Sequence, residues 1–547
     1  MAEISSKPAA ASAGVGSRVA EVWASVRRWA ASTDAQVLAC LLALCLLVRV
    51  LRLQPIEYYE DEVTRWHFVR DWFYSNSFRH GPWTHHMARF GVNVPLYFAQ
   101  LFLGRHASVY YVWPVTAFAL QVALVYLATK RLSGRAAGVF AALLLSLFSG
   151  MDRGASQLLP DGIGAAAIAL VFYLLVRYQE PEAKHPLRWL VGAGLAFVWA
   201  YEIKESNLLF VPGLCLAVWL CRGRFRDGVL FACILFAGIA VETAYFRIFT
   251  DYSSRFAIVE ESHGIATAKN FWALFDRFTR LELPWQLLVY AWLLSTLWLL
   301  GSRDKRRLML VLIPGTFVFL LTFMVRGIHP LVIWTRFFSR YFEPCAPLFV
   351  ISVALFLEEA ARRIWSAHAP ARVSALPVTL GRWPVACTLG VCSVLGVLSY
   401  VAEDSQLPSP ALTEARLISS ITNDAYRRNL PIVQKRAKRG ELEERRVRSL
   451  KAVYGIYLND KVIVTSPAAK GGALPDILDT VHDSARYSYV LYDPRAYSER
   501  EIEEWVERGC ALVVTEAQDH LNAAPKVPAL ILTQTEKLPD TCQPPRH

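Results

Sequence analysis

The residues of this chain that could do chemistry are carboxylates and cations placed just outside long apolar runs. The densest group lies in EYYEDEVTRWHFVRDWF (57–73), where four carboxylates occupy six positions behind the apolar run 35–51. Apolar residues then recur at helical spacing, which predicts an amphipathic helix at the membrane surface from 62 to about 74. Asp61 and Glu62 fall at its N-terminal end, where a carboxylate could take a proton from a hydroxyl group. The alternative is an acidic cap on a surface helix.

Two short connections between apolar runs carry further charges. Arg153 and Asp161 lie at the ends of two predicted helices, where they mark either the membrane surface or a functional site. The turn AYEIKESN (200–207) places Lys204 and Glu205 between two apolar helices. Because an ionisable side chain at membrane depth is costly, it is usually paired or functional.

A later connection, MVRGIHPLVIWTRFFSRYFEPCAPLFV (324–350), is rich in cations. Arg336 and Arg340 are four residues apart, hence on one side of a helix, and could clamp a phosphate. Carboxylates at one end of a site and fixed cations at the other suit a reaction in which a hydroxyl loses a proton and a phosphate leaves.

Three histidines, His80, His85 and His86, precede a short apolar segment at 95–103. Adjacent histidines cannot both face one point from a helix, so we expect no metal site from them. The apolar segment predicts a second interfacial or re-entrant helix. The sequence indicates no certain cofactor and leaves only a divalent metal open.

The composition is that of a multi-pass membrane protein. Of the 547 residues, 54% are hydrophobic and 19% are charged, and the mean hydropathy is +0.30. We therefore expect a polytopic α-helical membrane protein with about eleven spans. The predicted spans are 35–51, 110–128, 136–150, 162–176, 187–200, 207–221, 229–246, 285–300, 308–325, 347–357 and 383–401.

The charge pattern predicts the topology of these spans. The net charge is +12, but Lys and Arg gather in short loops on one side of the predicted spans, so the charge indicates membrane topology rather than nucleic-acid binding. With the N-terminus in the cytoplasm, the loops that hold most of the Asp, Glu and His face outward. The ten cysteines show no ligand-like pairing and mostly fall inside apolar runs.

The chain divides into four predicted regions. They are a cytoplasmic segment at 1–34, a membrane domain at 35–402, a Pro/Ser linker at 403–414 and a soluble extracytoplasmic domain at 415–547. Apolar stretches at 461–466, 487–493 and 511–515, with an amphipathic helix at 498–508, predict a small α/β fold for the last region. The basic stretch 434–448 is interpreted as a solvated helix face, with an anionic contact patch as the alternative.

Short motifs follow one another through the outer loops: an Asp-Glu pair, an arginine with an aspartate, a Lys-Glu turn, and an Arg-Tyr dipeptide before two prolines. These are Asp61 with Glu62, Arg153 with Asp161, Lys204 with Glu205, and Arg340 with Tyr341, Pro344 and Pro347. In their order and common side, the chain resembles the GT-C membrane glycosyltransferases. It is most similar to the branch that holds protein O-mannosyltransferases and the aminoarabinose transferase acting on lipid A. The resemblance covers residues 35–360.

The resemblance implies a polyprenyl-phosphate sugar as donor, with Asp61 as the base or orienting carboxylate and Lys204 and Arg340 on the donor phosphate. We expect a mannosyltransferase-like enzyme of the cell membrane that moves a hexosyl or pentosyl group to a hydroxyl of a protein, lipid or glycan on the outer face. The expected site is Asp61, Glu62 and Asp161 for catalysis, Lys204, Arg340 and Arg336 for the donor phosphate, and Arg153, His86 and Glu205 for substrate binding.

Two other classes of function fit a multi-pass protein. A non-enzymatic lipid-linked sugar transporter or flippase-associated protein would carry charges through the depth of its helices and two halves of inverted topology, and the sequence shows neither. A receptor would need a signalling partner that the short basic inner loops do not suggest. The expected partners are therefore the polyprenyl-phosphate-linked sugar, the hydroxyl acceptor and the lipid bilayer, with no nucleic acid.

Overall fold

The computed structural model shows a mostly helical chain. It describes residues 33–54, 56, 65–66, 68–69, 83–104, 107–222, 224–262, 267–268, 281–301, 304–323, 325–328, 331–334, 339–368, 445–448, 462–465 and 489–490. Within them the α-helices are α1 Thr33–Leu51, α2 Phe90–Leu103, α3 Ala107–Ser133, α4 Arg135–Leu147, α5 Asp152–Ser156, α6 Pro160–Tyr178, α7 Pro186–Ile203, α8 Val211–Arg222, α9 Phe225–Phe249, α10 Arg255–Ser262, α11 Leu283–Leu300, α12 Lys305–Phe323 and α13 Ala346–His368. Short 3-10 helices at Ser149–Met151, Glu205–Phe210 and Ser339–Cys345 join some of them.

Helix α6 forms the centre of the bundle. In its apolar window 78% of the residues are buried, against 28% in α1 and 22% in α9. Small residues at its start let other chain segments approach closely: Gln121 of α3 donates a 2.7 Å hydrogen bond to the Gly162 carbonyl, and a Cβ at Gly164 would lie 3.1 Å from Asn207. The N-terminal end of α6, which carries Asp161, is therefore held from several sides.

Among the residues that the structure describes, seven helices are long and apolar enough to cross a membrane. They are α1, α3, α6, α9, α11, α12 and the segment Ser339–Arg363 that contains α13, while α4 and the helix at Ser149–Ser156 form a pair bent by 60° that would add an eighth. The predicted mostly helical, membrane-spanning fold is confirmed. The predicted spans at α7 and α8 are helices that fall short in length or hydropathy, and 383–401 lies outside the described residues, so the count of eleven stays a prediction.

Helix α2 corresponds to the predicted interfacial or re-entrant segment. It has 14 residues, which is too short to cross a bilayer, and it begins five residues before the predicted segment. Phe98 and Phe102 on its outer side are exposed, while Asn93 and Leu96 are buried. One side of α2 therefore packs on the bundle and the other is left for lipid.

Polar contacts gather at the two ends of the bundle. At one end, Asp34 of α1 pairs with Lys130, and with Arg135 at 2.8 Å, while the Ser133 hydroxyl donates to Glu358 of α13 at 2.5 Å. The described site residues gather at the other end, where Arg49 of α1 pairs with Asp152 and Lys204 at the end of α7 pairs with Asp161. These contacts place the C-terminal ends of α1 and α7 and the N-terminal ends of α6 and α13 on the same side of the bundle.

Two small sheets lie outside the bundle helices. Strands β1 Thr267–Ala268, β2 Val325–Ile328 and β3 Leu331–Trp334 form an antiparallel sheet in the order β1-β3-β2. In the tail, β4 Arg445–Arg448, β5 Val462–Thr465 and β6 Tyr489–Val490 form a parallel sheet in the order β5-β4-β6. The predicted strands at 461–466 and 487–493 are thus present as shorter strands, whereas the predicted strand at 511–515 and the helix at 498–508 lie outside the described residues.

The prediction of a helix face at 434–448 is wrong for its last four residues, which form β4, the central strand of the parallel sheet. Residues 434–444 lie outside the described residues. Pairing on both sides with more apolar strands decides the backbone of β4, and local charge pattern does not report such long-range pairing.

Candidate active site

Four side chains meet at the N-terminal end of α6, and we name them the Lys204 cluster: Asp161, Lys204, Arg340 and Tyr341. The Lys204 ammonium donates a hydrogen bond to Asp161 Oδ1 at 2.5 Å and lies 4.4 Å from the centre of the Tyr341 ring. Arg340 Nε lies 3.9 Å from Asp161 Oδ2, and the guanidinium carbon lies 5.9 Å from the same ring centre. One carboxylate is therefore flanked by two cations that share an aromatic ring.

The local sequence explains why these side chains reach one point. Pro160 begins α6, so Asp161 lies in its first turn, where a carboxylate is favoured by the helix dipole. Lys204 follows the last residue of α7 with an extended backbone (φ −159°, ψ 130°), and a 3-10 helix begins directly after it. Arg340 and Tyr341 lie in the 3-10 helix before α13. The cluster is therefore built from helix ends.

The centre of the cluster is buried. Asp161 is 2% exposed and Lys204 is 7% exposed. Burial lowers the pKa of the Lys204 ammonium, and the charge of Asp161 offsets this effect only in part. Because an uncompensated charge is expensive in such surroundings, Lys204 and Asp161 depend on each other.

Glu205 pairs with Arg89, which directly precedes α2. Arg89 Nη2 donates to Glu205 Oε1 at 2.8 Å. Burial by itself raises the pKa of the Glu205 carboxyl, but the charge and hydrogen bonds of Arg89 outweigh it and hold this pKa below its usual range. Gly91 brings α2 against the end of α7, since a Cβ there would lie 2.7 Å from Ile203 N. Glu205 thus ties α2 to the turn that carries Lys204.

A second buried ionic group, which the sequence did not reveal, lies beside this turn. Arg255 of α10 donates to the Tyr201 carbonyl at 2.7 Å and to Glu202 at 2.6 Å, and it also pairs with Glu242 of α9. Burial opposes its charge, but the two carboxylates outweigh this and raise the pKa of Arg255. The pair partners are 53 and 13 residues away along the chain, so no local pattern predicts their meeting. The group holds the segment after α9 against the end of α7.

Arg153 lies beside a buried ion pair network. Its neighbour Asp152 pairs with Arg49 at 2.5 Å and with Arg52, which joins the end of α1 to α5. Arg153 itself donates to Gln157 at 2.8 Å. The charges at this predicted helix end therefore differ in role, since Asp152 forms a structural ion pair and Arg153 interacts electrostatically with Glu343, which lies in the 3-10 helix that carries Arg340.

His86 is buried and contacts the chain that leads into α6. Its Nδ1 lies 3.0 Å from Nη2 of Arg65, and Arg65 also donates to the Leu158 carbonyl at 2.5 Å. Since the guanidinium can only donate, His86 Nδ1 is the acceptor in this pair. The ring of His85 lies 3.7 Å from that of His86. In the described part of the chain no group of three or more His, Cys, Asp or Glu could hold a metal ion.

Three of the predicted site residues, Asp61, Glu62 and Arg336, lie outside the described residues. Of the predicted amphipathic helix, Trp66 and Val69 are helical and fully buried. The described predicted residues divide between separate contacts. Asp161, Lys204 and Arg340 meet directly, Arg153 lies near them, and Glu205 and His86 contact the arginines before α2 and after the acidic loop.

Sequence reasoning also missed Glu343, which lies in the 3-10 helix before α13 and is 1% exposed. Its carboxyl group interacts electrostatically with Asp161, Arg340, Lys204 and Arg153. The available signal was an acidic residue inside the otherwise apolar, proline-rich stretch FEPCAPLFV. The arrangement thus places two cations, Lys204 and Arg340, beside the carboxyl groups of Asp161 and Glu343 at one end of a membrane bundle.

Comparisons with known proteins give a family match over part of the chain and structural matches over most of it. A family model for dolichyl-phosphate-mannose-protein mannosyltransferase matches residues 94–245, a range that includes Arg153, Asp161, Lys204 and Glu205. The structure is similar to that of ArnT from Cupriavidus metallidurans in the apo state, with a TM-score of 0.58 and 15% identity over 94% of this chain and 100% of that chain. ArnT bound to undecaprenyl phosphate gives a TM-score of 0.50 with the same identity and coverage. No curated protein matches the sequence significantly.

The fold is therefore ArnT-like, and the resemblance to GT-C glycosyltransferases is confirmed. The family model and the fold match arise from different observations, one from the sequence of the middle helices and one from the arrangement of nearly the whole chain. The family model is that of a dolichyl-phosphate-mannose-protein mannosyltransferase, and one of the similar ArnT structures is bound to undecaprenyl phosphate.

Proposed function

We propose that this chain is a glycosyltransferase that moves a sugar from a polyprenyl-phosphate donor to a hydroxyl acceptor at the outer face of a cell membrane. The Lys204 cluster is the observation that carries this proposal. A lipid-linked phosphate needs cations at the end of a membrane bundle, and Lys204 and Arg340 supply two there. The bound undecaprenyl phosphate of the similar ArnT fold supports a donor of this class.

The donor phosphate would bind between the two cations. Asp161 holds the Lys204 ammonium at 2.5 Å, and the Tyr341 ring faces it at 4.4 Å, so the charge is oriented before the donor arrives. Preorganised charge of this kind stabilises a leaving group without reorganisation during the reaction. Arg336 is proposed as a further phosphate contact, and Arg153 is close enough to the cluster to assist.

The transfer step needs a base on the opposite side of the sugar. In our proposal the acceptor oxygen attacks the anomeric carbon, the bond from that carbon to the phosphate oxygen breaks, and the acceptor proton passes to Asp61. A single displacement inverts the anomeric carbon. Glu62 and Asp161 would position the groups. Arg65, four positions after Asp61, donates to the carbonyl of Leu158, three positions before Asp161. This contact supports the proposal that the two carboxylates act at one site.

His86 and Glu205 would act on the substrate through their neighbours. His86 accepts from Arg65, and Glu205 accepts from Arg89. Both arginines lie between the acidic loop and α2 along the chain. We therefore propose that the two residues help to shape the acceptor entrance, in place of direct proton transfer.

The orientation and the tail belong to the same proposal. Eleven spans with the N-terminus inside would put the Lys204 cluster and residues 415–547 on the outer face, with 35–402 as the catalytic domain and 403–414 as a linker. The tail would then receive the acceptor or cover the cleft. A chain stopped near Val401 should still bind the donor and transfer poorly to its natural acceptor. Equal losses of donor binding and thermal stability would instead indicate that the tail only supports the outer loops.

The experiment that tests the function uses purified full-length protein in lipid nanodiscs. A panel of labelled undecaprenyl-phosphate sugars shows which label moves, and onto which acceptor. Asp61→Asn should abolish transfer, and Lys204→Ala and Arg340→Ala should weaken donor use. Lys184→Ala, an inner-loop change, is the control and should leave donor use unaltered. Unchanged transfer by a folded Asp61→Asn variant would show that Asp61 is not the base. Failure of the wild type to transfer the label from any lipid would refute the proposed function.

A further inference from the structure

Glu343 is a carboxyl group at the Lys204 cluster that the proposed mechanism does not use. It lies between Phe342 and Pro344 in the 3-10 helix that also carries Arg340, and it is 1% exposed. In the described part of the chain it has no ion pair, and its Oε2 has no hydrogen-bond partner. A buried polar atom without a partner is unfavourable, which points to a ligand at this position.

A second carboxyl oxygen at the same place also lacks a hydrogen bond. Asp161 Oδ1 accepts from Lys204, whereas Asp161 Oδ2 is buried, has no hydrogen-bond partner among the described residues and has Arg340 Nε 3.9 Å away as its ion-pair partner. Glu343 and Asp161 interact electrostatically with each other and with the cations of the cluster. Two acceptor oxygens are therefore left over beside the cations that would hold the donor phosphate.

The surrounding backbone is shaped to admit the Glu343 side chain. A Cβ at Gly154 would collide with the Glu343 carboxyl group, lying 2.6 Å from its Cδ. Gly154 in turn packs against Gly162, where a Cβ would lie 2.7 Å from Gly154 Cα. Two glycines from α5 and α6 thus make room for a carboxyl group that apolar packing alone would not require.

The chemistry of the position selects the ligand class. Lys204 and Arg340 are the groups here that attract a phosphate, so the carboxyl group is assigned to another part of the ligand. In the proposed donor the sugar is joined to the phosphate by one ester linkage, which places its hydroxyl groups next to the phosphate-binding cations. Hydroxyl groups donate hydrogen bonds, and carboxyl oxygens accept them.

We infer that Glu343 is a sugar-binding residue that accepts a hydrogen bond from a hydroxyl of the donor's sugar, with Asp161 Oδ2 as the second acceptor, and that it contributes to sugar specificity. This inference rests on the proposed function. It assigns the phosphate to the cations and the sugar to the carboxyl groups. Sites built to bind a hydroxyl discriminate strongly against ligands that lack it, because their own polar groups are then left unpaired.

The test compares two lipids with full-length protein in nanodiscs: undecaprenyl phosphate, and the undecaprenyl-phosphate sugar that the wild type uses among the mannose, glucose, arabinose and aminoarabinose forms. Glu343→Leu should weaken binding of the sugar lipid about tenfold or more. It should change binding of undecaprenyl phosphate by less than about threefold. Glu343→Gln, which keeps the shape and folding of the site, should weaken only the sugar lipid, by a smaller factor.

Two further variants serve as a second test and a control. Gly154→Ala displaces the Glu343 carboxyl group and should give the same selective loss, without adding to it in the double variant. Glu358→Leu, at the far end of α13 where Glu358 accepts from Ser133, should leave both affinities unchanged. Equal weakening of both lipids by Glu343→Leu and Glu343→Gln, or no weakening of either, would overturn the assignment. If the wild type binds neither lipid, the proposed function fails, and the assignment fails with it.

Discussion

Replacing Lys204 by methionine tests whether the Lys204 cluster is the electrostatic centre of the site. The change keeps the length of the side chain and removes the ammonium that contacts Asp161 at 2.5 Å. Asp161 is 2% exposed and would be left with Arg340, whose Nε lies 3.9 Å away, as its ion-pair partner. Breaking one partner of a buried ion pair costs about 3–5 kcal/mol. Because Arg340 compensates in part, we expect a loss of stability near the lower limit.

The matched control is Lys130→Met. Lys130 also pairs with an aspartate, Asp34, but the two side chains are 30% and 28% exposed. Exposed pairs of this kind contribute at most about 1 kcal/mol. Thermal unfolding in detergent or nanodiscs, followed for both variants, should therefore show a much larger decrease in Tm for Lys204→Met. Similar decreases for the two variants would refute the idea that burial makes the Lys204 pair special.

Three further predictions follow from the same contacts. In Asp161→Asn, stability should rise with pH towards 10.5, the unfolded pKa of Lys204, because burial lowers the folded pKa of Lys204 and the unfolded state then binds more protons. A series of Tm values measured at increasing pH against wild type checks this, and a flat or falling series contradicts it. Gly91→Val should cost about 1–3 kcal/mol by forcing α2 away from Ile203 N, which lies 2.7 Å from a Cβ at 91; thermal unfolding measures it, and an unchanged Tm would mean that the helices separate freely. Tyr341→Leu should weaken undecaprenyl phosphate binding severalfold by removing the ring that faces Lys204, since such contacts contribute about 0.5–2 kcal/mol, while Tyr341→Phe should bind normally; equal binding by both variants in a titration would exclude the ring's role.

The fold was largely readable from the sequence because membrane helices are encoded locally. An apolar run of sufficient length must satisfy its backbone internally, so the runs that become α1, α3, α6 and α9 could be located without knowing their neighbours. The alternation of basic and acidic connections similarly indicated that Asp161, Lys204 and Arg340 share one end of the bundle. The tail was less predictable, since β4 forms in a charged stretch by pairing with distant strands.

Part of the site could be anticipated for the same reason, and part could not. A charge next to an apolar run is visible in the sequence, which is how Lys204 and Asp161 were recognised. Their direct contact was not visible, because the two residues are 43 positions apart and come from two helix ends. Glu205 was expected at the substrate, yet its side chain is engaged by Arg89, 116 positions away.

Hydropathy and charge act residue by residue, so the sequence was sufficient to identify a helical membrane protein with charged residues at the ends of its helices. The tertiary structure was needed to show which of these charges neutralise one another. Arg255 pairs with Glu202 and Glu242, and Asp152 pairs with Arg49 and Arg52, so these charges stabilise the fold. Glu343 was left beside Gly154 without such a partner in the described chain. Pairing depends on the packing of helices distant in sequence, and no local pattern encodes it.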